Sequence, residues 1–138
     1  MTRTEMREET FKVMYSLSNI KEKEVEEQIE IYLESNEINE EKTIKFIKET
    51  TNGIYANISV IDEEISKYLK DDWTIRRISK MDLAILRIAI YELKETSIPF
   101  KVIINEAVEL SKKYAEEKSR KFVNGILASV VNGMENRG

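Results

Sequence analysis

Between Lys112 and Lys121 five cations, Lys112, Lys113, Lys118, Arg120 and Lys121, stand against only Glu116 and Glu117. That is a local charge of +3 in a chain whose total is −4. Phe122 and Gly125 follow at once. An aromatic ring set beside cations and a residue with no side chain is an arrangement on which an unpaired base stacks while its phosphates meet the lysines. On a helix centred on Val123 and Val130, Phe122 falls about 100° from the apolar stripe. It therefore sits either on the rim or tucked under a neighbouring helix. Arg3 and Arg7, one helical turn apart, form a second cationic pair. A solvated helix flank is the plainer reading of that pair, and phosphate contact is the other. Asp71-Asp72 invites a metal or catalytic reading, but no third ligand accompanies it, so the pair reads as a turn and helix cap before Thr74 to Ile78.

The chain has no cysteine and no histidine among its 138 residues. Disulfides, thiolate zinc sites, cysteine nucleophiles and the commonest general base are thereby excluded, and no cofactor is implied. Catalysis would have to run on carboxylates, lysines or tyrosines, so a binding protein rather than an enzyme is expected. No stretch reads as a signal peptide or a membrane span, which predicts a cytoplasmic protein. Charged residues make up 35% of the chain, against one proline and four glycines. This is the composition of an all-α protein. The negative total argues against attraction of the whole surface to nucleic acid, yet permits a local basic patch.

The element that must position these groups is the stretch from Ser79 to Leu93. Met81, Ala84, Ile85, Ile88 and Ala89 form one apolar arc, and Leu83, Leu86, Ile90 and Leu93 a second, leaving a polar strip through Arg87 and Lys94. A helix apolar nearly all round is buried on more than one side. It reads as a central helix with others packed on both faces, capped by Ser79, with Asp82 at the capping-box position.

Ahead of it, Thr2 and Glu5 have capping-box spacing for a first helix reaching about Ser18, with Met6, Val13, Met14 and Leu17 as its stripe. Residues 21 to 42 carry nine glutamates against three lysines, a local charge of −6. Val25, Ile29 and Leu33, widened by Ile31 and Tyr32, make this an acidic amphipathic helix, which either keeps the protein solvated or meets a basic partner. Asn36 to Asn39 reads as a turn with Asn39 an N-cap. The pattern Ile44, Ile47, Ile54, Ile58, Ile61, Ile65, Leu69 runs over residues 40–70, with Asn52-Gly53 either a break between two helices or a tolerated weak point in one long helix, the favoured reading. Beyond the central helix, Pro99 suits the start of a helix from Phe100 to about Tyr114, with Val102, Ile103, Ala107 and Leu110 inside. Asn105-Glu106 within it suggests a buried network to a neighbour such as Arg87. The last helix starts near Ser119, is striped by Val123, Ile126, Leu127, Val130 and Val131, and is expected to stop at Asn132-Gly133.

Three blocks then carry a resemblance: WTIRRISKMDLAILRIAIYEL from Trp73 to Leu93, IPFKVIINEAVELSKKY from Ile98 to Tyr114, and KFVNGIL from Lys121 to Leu127. In order and spacing they closely resemble the NusB transcription antitermination family, strongly over residues 73 to 131. Upstream the resemblance rests on Arg7 with Met14-Tyr15. It implies about seven helices in two packed bundles, a single domain over 1–138 with subdomains 1–70 and 71–138. It also implies a non-catalytic activity: binding boxA-type single-stranded RNA together with the small-subunit ribosomal protein NusE, within the RNA polymerase antitermination complex, to promote read-through, notably in ribosomal RNA operons.

The family's RNA positions correspond here to Arg3, Arg7, Lys101, Lys121 and Phe122, and its partner-protein position to Asp82. An N-terminal-turn carboxylate is expected to cap through one oxygen and offer the other to a partner's arginine. The amino-terminal arginines are thinned by Glu5, Glu8 and Glu9, so RNA binding by the protein alone should be weak. The free protein is left open as a monomer or a homodimer. Two other classes remain: an accessory domain of an RNA methyltransferase, whose nucleotide-binding sheet this chain has no room for, and a helical module that binds only proteins.

Overall fold

The computed structural model describes residues 1–17 and 24–137, the side chains of residues 136 and 137 excepted. The described residues form seven α-helices and no strand, so the fold is all-α as the sequence implies. The helices are α1 (Arg3–Ser16), α2 (Val25–Ser35), α3 (Glu41–Ala56), α4 (Ile58–Ser66), α5 (Lys80–Glu95), α6 (Phe100–Tyr114) and α7 (Glu117–Arg137), with a 3₁₀ turn at Ile75–Arg77 before α5. Ser18, the expected end of the first helix, and Lys21 to Lys23 lie outside the described residues. Two compact units result, Met1–Ala56 and Asn57–Gly138.

In the first unit the capping box forms as the spacing predicts. The Glu5 amide donates to Thr2 Oγ1 at 3.1 Å and the Thr2 amide to Glu5 Oε1 at 2.8 Å. The backbone bond from Thr2, more than the hydroxyl bond, holds the Glu5 carboxyl below its ordinary range. Val13 of α1 and Leu17 at its C-cap, Val25, Ile29 and Leu33 of α2, Ile38 and Ile47 make one core cluster, with Tyr32, Ile44 and Tyr55 packed against it. Each such aliphatic side chain contributes roughly 1.5–3 kcal/mol by leaving water. Ile31, expected to widen the α2 face, is exposed instead. Ile31 lies two residues from both Ile29 and Leu33, which turns its side chain about 160° from each, onto the face opposite the buried arc.

The chain leaves α2 through a reversed turn. The Ile38 amide donates to Leu33 O at 2.9 Å and the Glu37 amide to Glu34 O at 3.2 Å, with Glu37 at φ 51°. This is the 6→1 and 5→2 pairing of a Schellman stop, closed by Ile38 and Leu33 in the same core. Glu40, not Asn39, starts α3: its carbonyl accepts from Ile44 at 3.0 Å and its carboxylate from the Thr43 hydroxyl at 2.7 Å. The Thr43 bond first, and the terminal ammonium second, hold the Glu40 carboxyl below its usual range.

Of the two readings of residues 40–70, the favoured single helix is not what forms: there are two helices, though not divided at Asn52-Gly53. The break falls at Asn57, whose φ −118° and ψ 19° leave the helical region. Asn52-Gly53 stays inside α3, because Thr50, Thr51 and Ile54 are buried around it and packing outweighs the glycine's poor propensity. The break also moves the unit boundary. The expected division follows Lys70, whereas α4 packs on α5 and α7 and belongs to the second unit.

In that unit α5 is the buried hub the two arcs predict. Ala84, Ile85, Leu86, Ile88, Ala89 and Ile90 are all buried, and α4, α6 and α7 pack around them. Arg87, on the polar strip, is bound by Asp62 of α4, through Nε to Oδ1 at 2.9 Å and Nη2 to Oδ2 at 2.8 Å. The expected network to Asn105-Glu106 is not what holds it, since Asn105 faces solvent. On α6, Ile103, Ala107 and Leu110 are buried as predicted, but Val102 is 44% exposed. Helix α7 buries Val123, Ile126, Leu127, Val130 and Val131, and runs through Gly133 to Arg137. No glycine among the described residues takes a positive φ. The left-handed stop expected at Asn132-Gly133 is therefore not made.

Candidate functional site

Helix α7 is fixed at its start by a contact to the hub. Ser79 caps α5, its hydroxyl accepting from the Asp82 amide at 3.1 Å, and the Ser119 hydroxyl of α7 donates to Asp82 Oδ2 at 3.3 Å. The capping box expected of Asp82 is thus only half made, its carboxylate being turned to α7. Asp82 is 7% exposed, and its Oδ1 is buried with no hydrogen-bond partner among the described residues. Burial raises its carboxyl above the ordinary range, against the opposite pull of the Ser119 and Ser79 hydroxyls. A carboxylate so placed locks α7 to α5 and offers little to an approaching protein.

One turn along α7 from Ser119, Lys121 is exposed and Phe122 half-buried, which puts the ring on the rim, one of the two places its angle from the stripe allows. Opposite them the chain between α4 and the 3₁₀ turn makes a tight reversal, with the Trp73 amide donating to Lys70 O at 2.8 Å. Asp71 and Asp72 are its middle residues, the turn role the sequence assigns them. The reversal carries Trp73 to the surface, 49% exposed, with its ring centroid 6.5 Å from that of Phe122 and the planes tilted by 39°. A hollow of about 520 Å³ opens here, lined by Tyr68, Lys70, Trp73, Lys121, Phe122 and Gly125 among others. At Gly125 a β-carbon would meet nothing within 4 Å, so the missing side chain leaves open space. Rings, two lysines and a bare helix face together can hold a planar ligand carrying negative charge.

The other expected residues lie elsewhere. Lys101 is exposed near the start of α6 and does not line the hollow. Arg3, in the first unit, is exposed with its guanidinium 5.9 Å from the centre of the Phe46 ring. Arg7, expected on the solvated flank of α1, is instead 3% exposed and has partners within the protein. It presents no guanidinium to a ligand. Its position beside Met6 and Thr10, both buried, puts it on the inner arc of α1, which the four-residue stripe read from sequence is too narrow to include. Sequence reasoning passed over Trp73, Tyr68 and Lys70 as site residues. A signal was present: Trp73 follows two aspartates and precedes Arg76-Arg77, in a stretch with no apolar stripe to bury an indole.

The NusB family model matches residues 4–132 of the chain. The transcription antitermination protein NusB of Acetivibrio thermocellus is 45% identical over 145 residues, covering 99% of this chain and 98% of its own. Among solved structures, T. maritima NusB superposes with a TM-score of 0.85 at 37% identity, over 96% of this chain and 92% of that one. A chain from a crystal structure of the antitermination factors NusB and NusE in complex with double-stranded RNA gives a TM-score of 0.84 at 28% identity, over 96% of this chain and 99% of its own.

Proposed function

The chain belongs to the NusB family, and from that premise we propose that it is a non-catalytic transcription antitermination factor. It holds a boxA-type single-stranded RNA jointly with NusE and promotes read-through by RNA polymerase, notably in ribosomal RNA operons. The observation that carries this reading is the cationic, aromatic edge at Lys121-Phe122, on a chain that follows the family along nearly its whole length. A solved relative holds NusE and double-stranded RNA together. The Phe122 ring favours an unpaired base, because a side chain stacks fully only on a base already outside a duplex.

In this reading Arg3, Lys101 and Lys121 meet phosphates and Phe122 meets a base. Arg7 enters only by supporting α1 from within, since a guanidinium 3% exposed does not reach a phosphate. Asp82 serves the partner protein through the α5–α7 corner it fixes. The acidic α2 and the total of −4 suit a basic ribosomal protein, so the pair binds RNA better than either member. The place of action is the cytoplasm, where nascent RNA is made. No helix among the described residues is long and apolar enough to cross a membrane.

The test is affinity for a boxA-type RNA at stated salt, with and without NusE, for the parent and for Lys121→Glu, Phe122→Ala and Asp82→Lys. The first two should weaken RNA binding at unchanged helicity, and the third should weaken the hold on NusE. Sedimentation of the free protein shows whether a homodimer must dissociate first. If NusE binds and RNA adds nothing in the ternary mixture, the chain is a protein-only module and the proposal fails.

A further inference from the structure

We propose that the hollow beside α7 is a slot for one unpaired nucleobase, with Trp73 as its stacking platform, Phe122 as the facing ring, and Lys70 and Lys121 on the flanking phosphates. The inference rests on the RNA-binding reading above and deepens it, since Trp73, Tyr68 and Lys70 have no part in that reading.

Three observations favour a base over an apolar protein side chain. The Trp73 and Phe122 centroids are 6.5 Å apart, close to twice the ~3.4 Å rise of stacked bases. A third flat ring thus enters between them after a modest rotation of the exposed indole. Lys70 and Lys121 are exposed and have no ion-pair partner among the described residues, so their charge is available at the mouth of an aromatic slot. Open space at Gly125 leaves room on the α7 side, where any larger residue would project into the hollow.

The same turn carries Asp71 and Asp72, both exposed, which oppose phosphates. The slot therefore works mainly by stacking, and its share of the salt dependence is small. Two lysine contacts give a slope of roughly −1.4 on single strands, at about −0.7 for each phosphate neutralised.

Trp73 is the sole tryptophan, so its emission reports on the slot alone. The experiment titrates the full chain, with NusE present, with a short single-stranded boxA-type RNA. Indole emission and the anisotropy of labelled RNA are followed together for the parent, Trp73→Leu, Trp73→Phe and Gly125→Leu. In the parent, emission should change with the same midpoint as anisotropy. Trp73→Leu should weaken binding roughly 10- to 100-fold, the usual worth of one stacked base, and Trp73→Phe should recover most of it. Gly125→Leu should weaken binding and abolish the emission change without lowering the melting temperature, because leucine is the better helix former.

RNA that binds tightly while emission stays constant, and while Trp73→Leu and Gly125→Leu match the parent, overturns the slot and leaves the RNA-binding reading standing. An emission change caused by NusE alone assigns the face to protein contact and also overturns it. Absence of RNA binding in every mixture overturns the reading beneath, and the slot with it.

Discussion

The two units of the molecule use their charges in opposite ways. In the first, charged groups are closed on one another: Lys48 is bound by Glu30 and Glu26, the terminal ammonium by Glu40, Lys12 by Glu9, and the Arg3 guanidinium lies against Phe46. The second has exposed pairs as well, Lys112 with Glu109 and Lys118 with Glu116, but it adds two partly buried pairs at the hub, Arg87 with Asp62 and Lys94 with Glu64, while Lys70 and Lys121 are left open beside two rings. Exposed pairs of the first kind are worth little in stability. They neutralise a surface and set its long-range field. The second unit places its partly buried charge where it holds α4 to α5, the frame on which the open cations and rings are carried.

That contrast is broken most severely at the hub. Leu86 is fully buried, and Leu86→Ala should cost about 2–5 kcal/mol in chemical unfolding. The matching change at Val102, 44% exposed, should stay within about 0.5 kcal/mol. Equal losses at the two sites would mean that α5 is not the organising helix. Next in size is the Asp62–Arg87 pair. Asp62→Ala leaves a partly buried guanidinium without its two charge-assisted bonds, for a loss of about 2 kcal/mol. Lys48→Ala, on an exposed pair in the first unit, should shift urea midpoints far less. Were the two losses equal, the distinction drawn between the units would be gone.

How much of this was legible in the sequence follows from which features are periodic. The hub, the α1 and α2 stripes and the Thr2–Glu5 cap all follow from local spacing, and the structure has them, whereas spacing left Phe122 open between the rim and a buried place. The Asn57 break did not show, because Ile54, Ile58 and Ile61 continue the helical period straight across it. The family resemblance supplied Lys121 and Phe122 but not Trp73. An indole brought to a helix by a turn is a tertiary event with no spacing to announce it. Arg7 failed for the opposite reason: an arginine in an amphipathic helix reads as solvated until packing shows its stem and head both covered.

A smaller effect separates Asp82 from the paired charges. Burial raises its folded-state carboxyl above the unfolded value of 3.8. Its contribution is therefore fully present below that value and is lost as pH rises through the higher folded one. Asp82→Asn removes this titration and keeps an oxygen for Ser119. The stability of the variant relative to the parent should accordingly rise as pH climbs above 3.8 and level off once the folded carboxyl has ionised. Glu5 and Glu40, whose carboxyls are lowered, pull the other way, but both proteins carry them and they cancel in the difference. A difference flat with pH would show that Asp82 is as well solvated as the surface glutamates of α2.

The smallest effect lies where α2 ends, at Glu37 with φ 51°. A side chain in that conformation is strained by roughly 1–2 kcal/mol. Glycine relieves the strain but releases more chain entropy on unfolding, about 0.5–1 kcal/mol. Glu37→Gly should therefore gain about 0.5 kcal/mol, a rise of roughly 2 °C in Tm. Two causes could produce such a gain, because Glu37 also adds negative charge at the carboxy-terminal end of a helix with no basic residue in its last turn. Glu37→Ala separates them, since it removes the charge and keeps the strain. If only the glycine variant gains, the backbone is responsible and the acidity of the first unit costs it nothing here. If alanine gains as much, the first unit retains its carboxylates at the expense of its own stability, as a surface kept for a basic partner would.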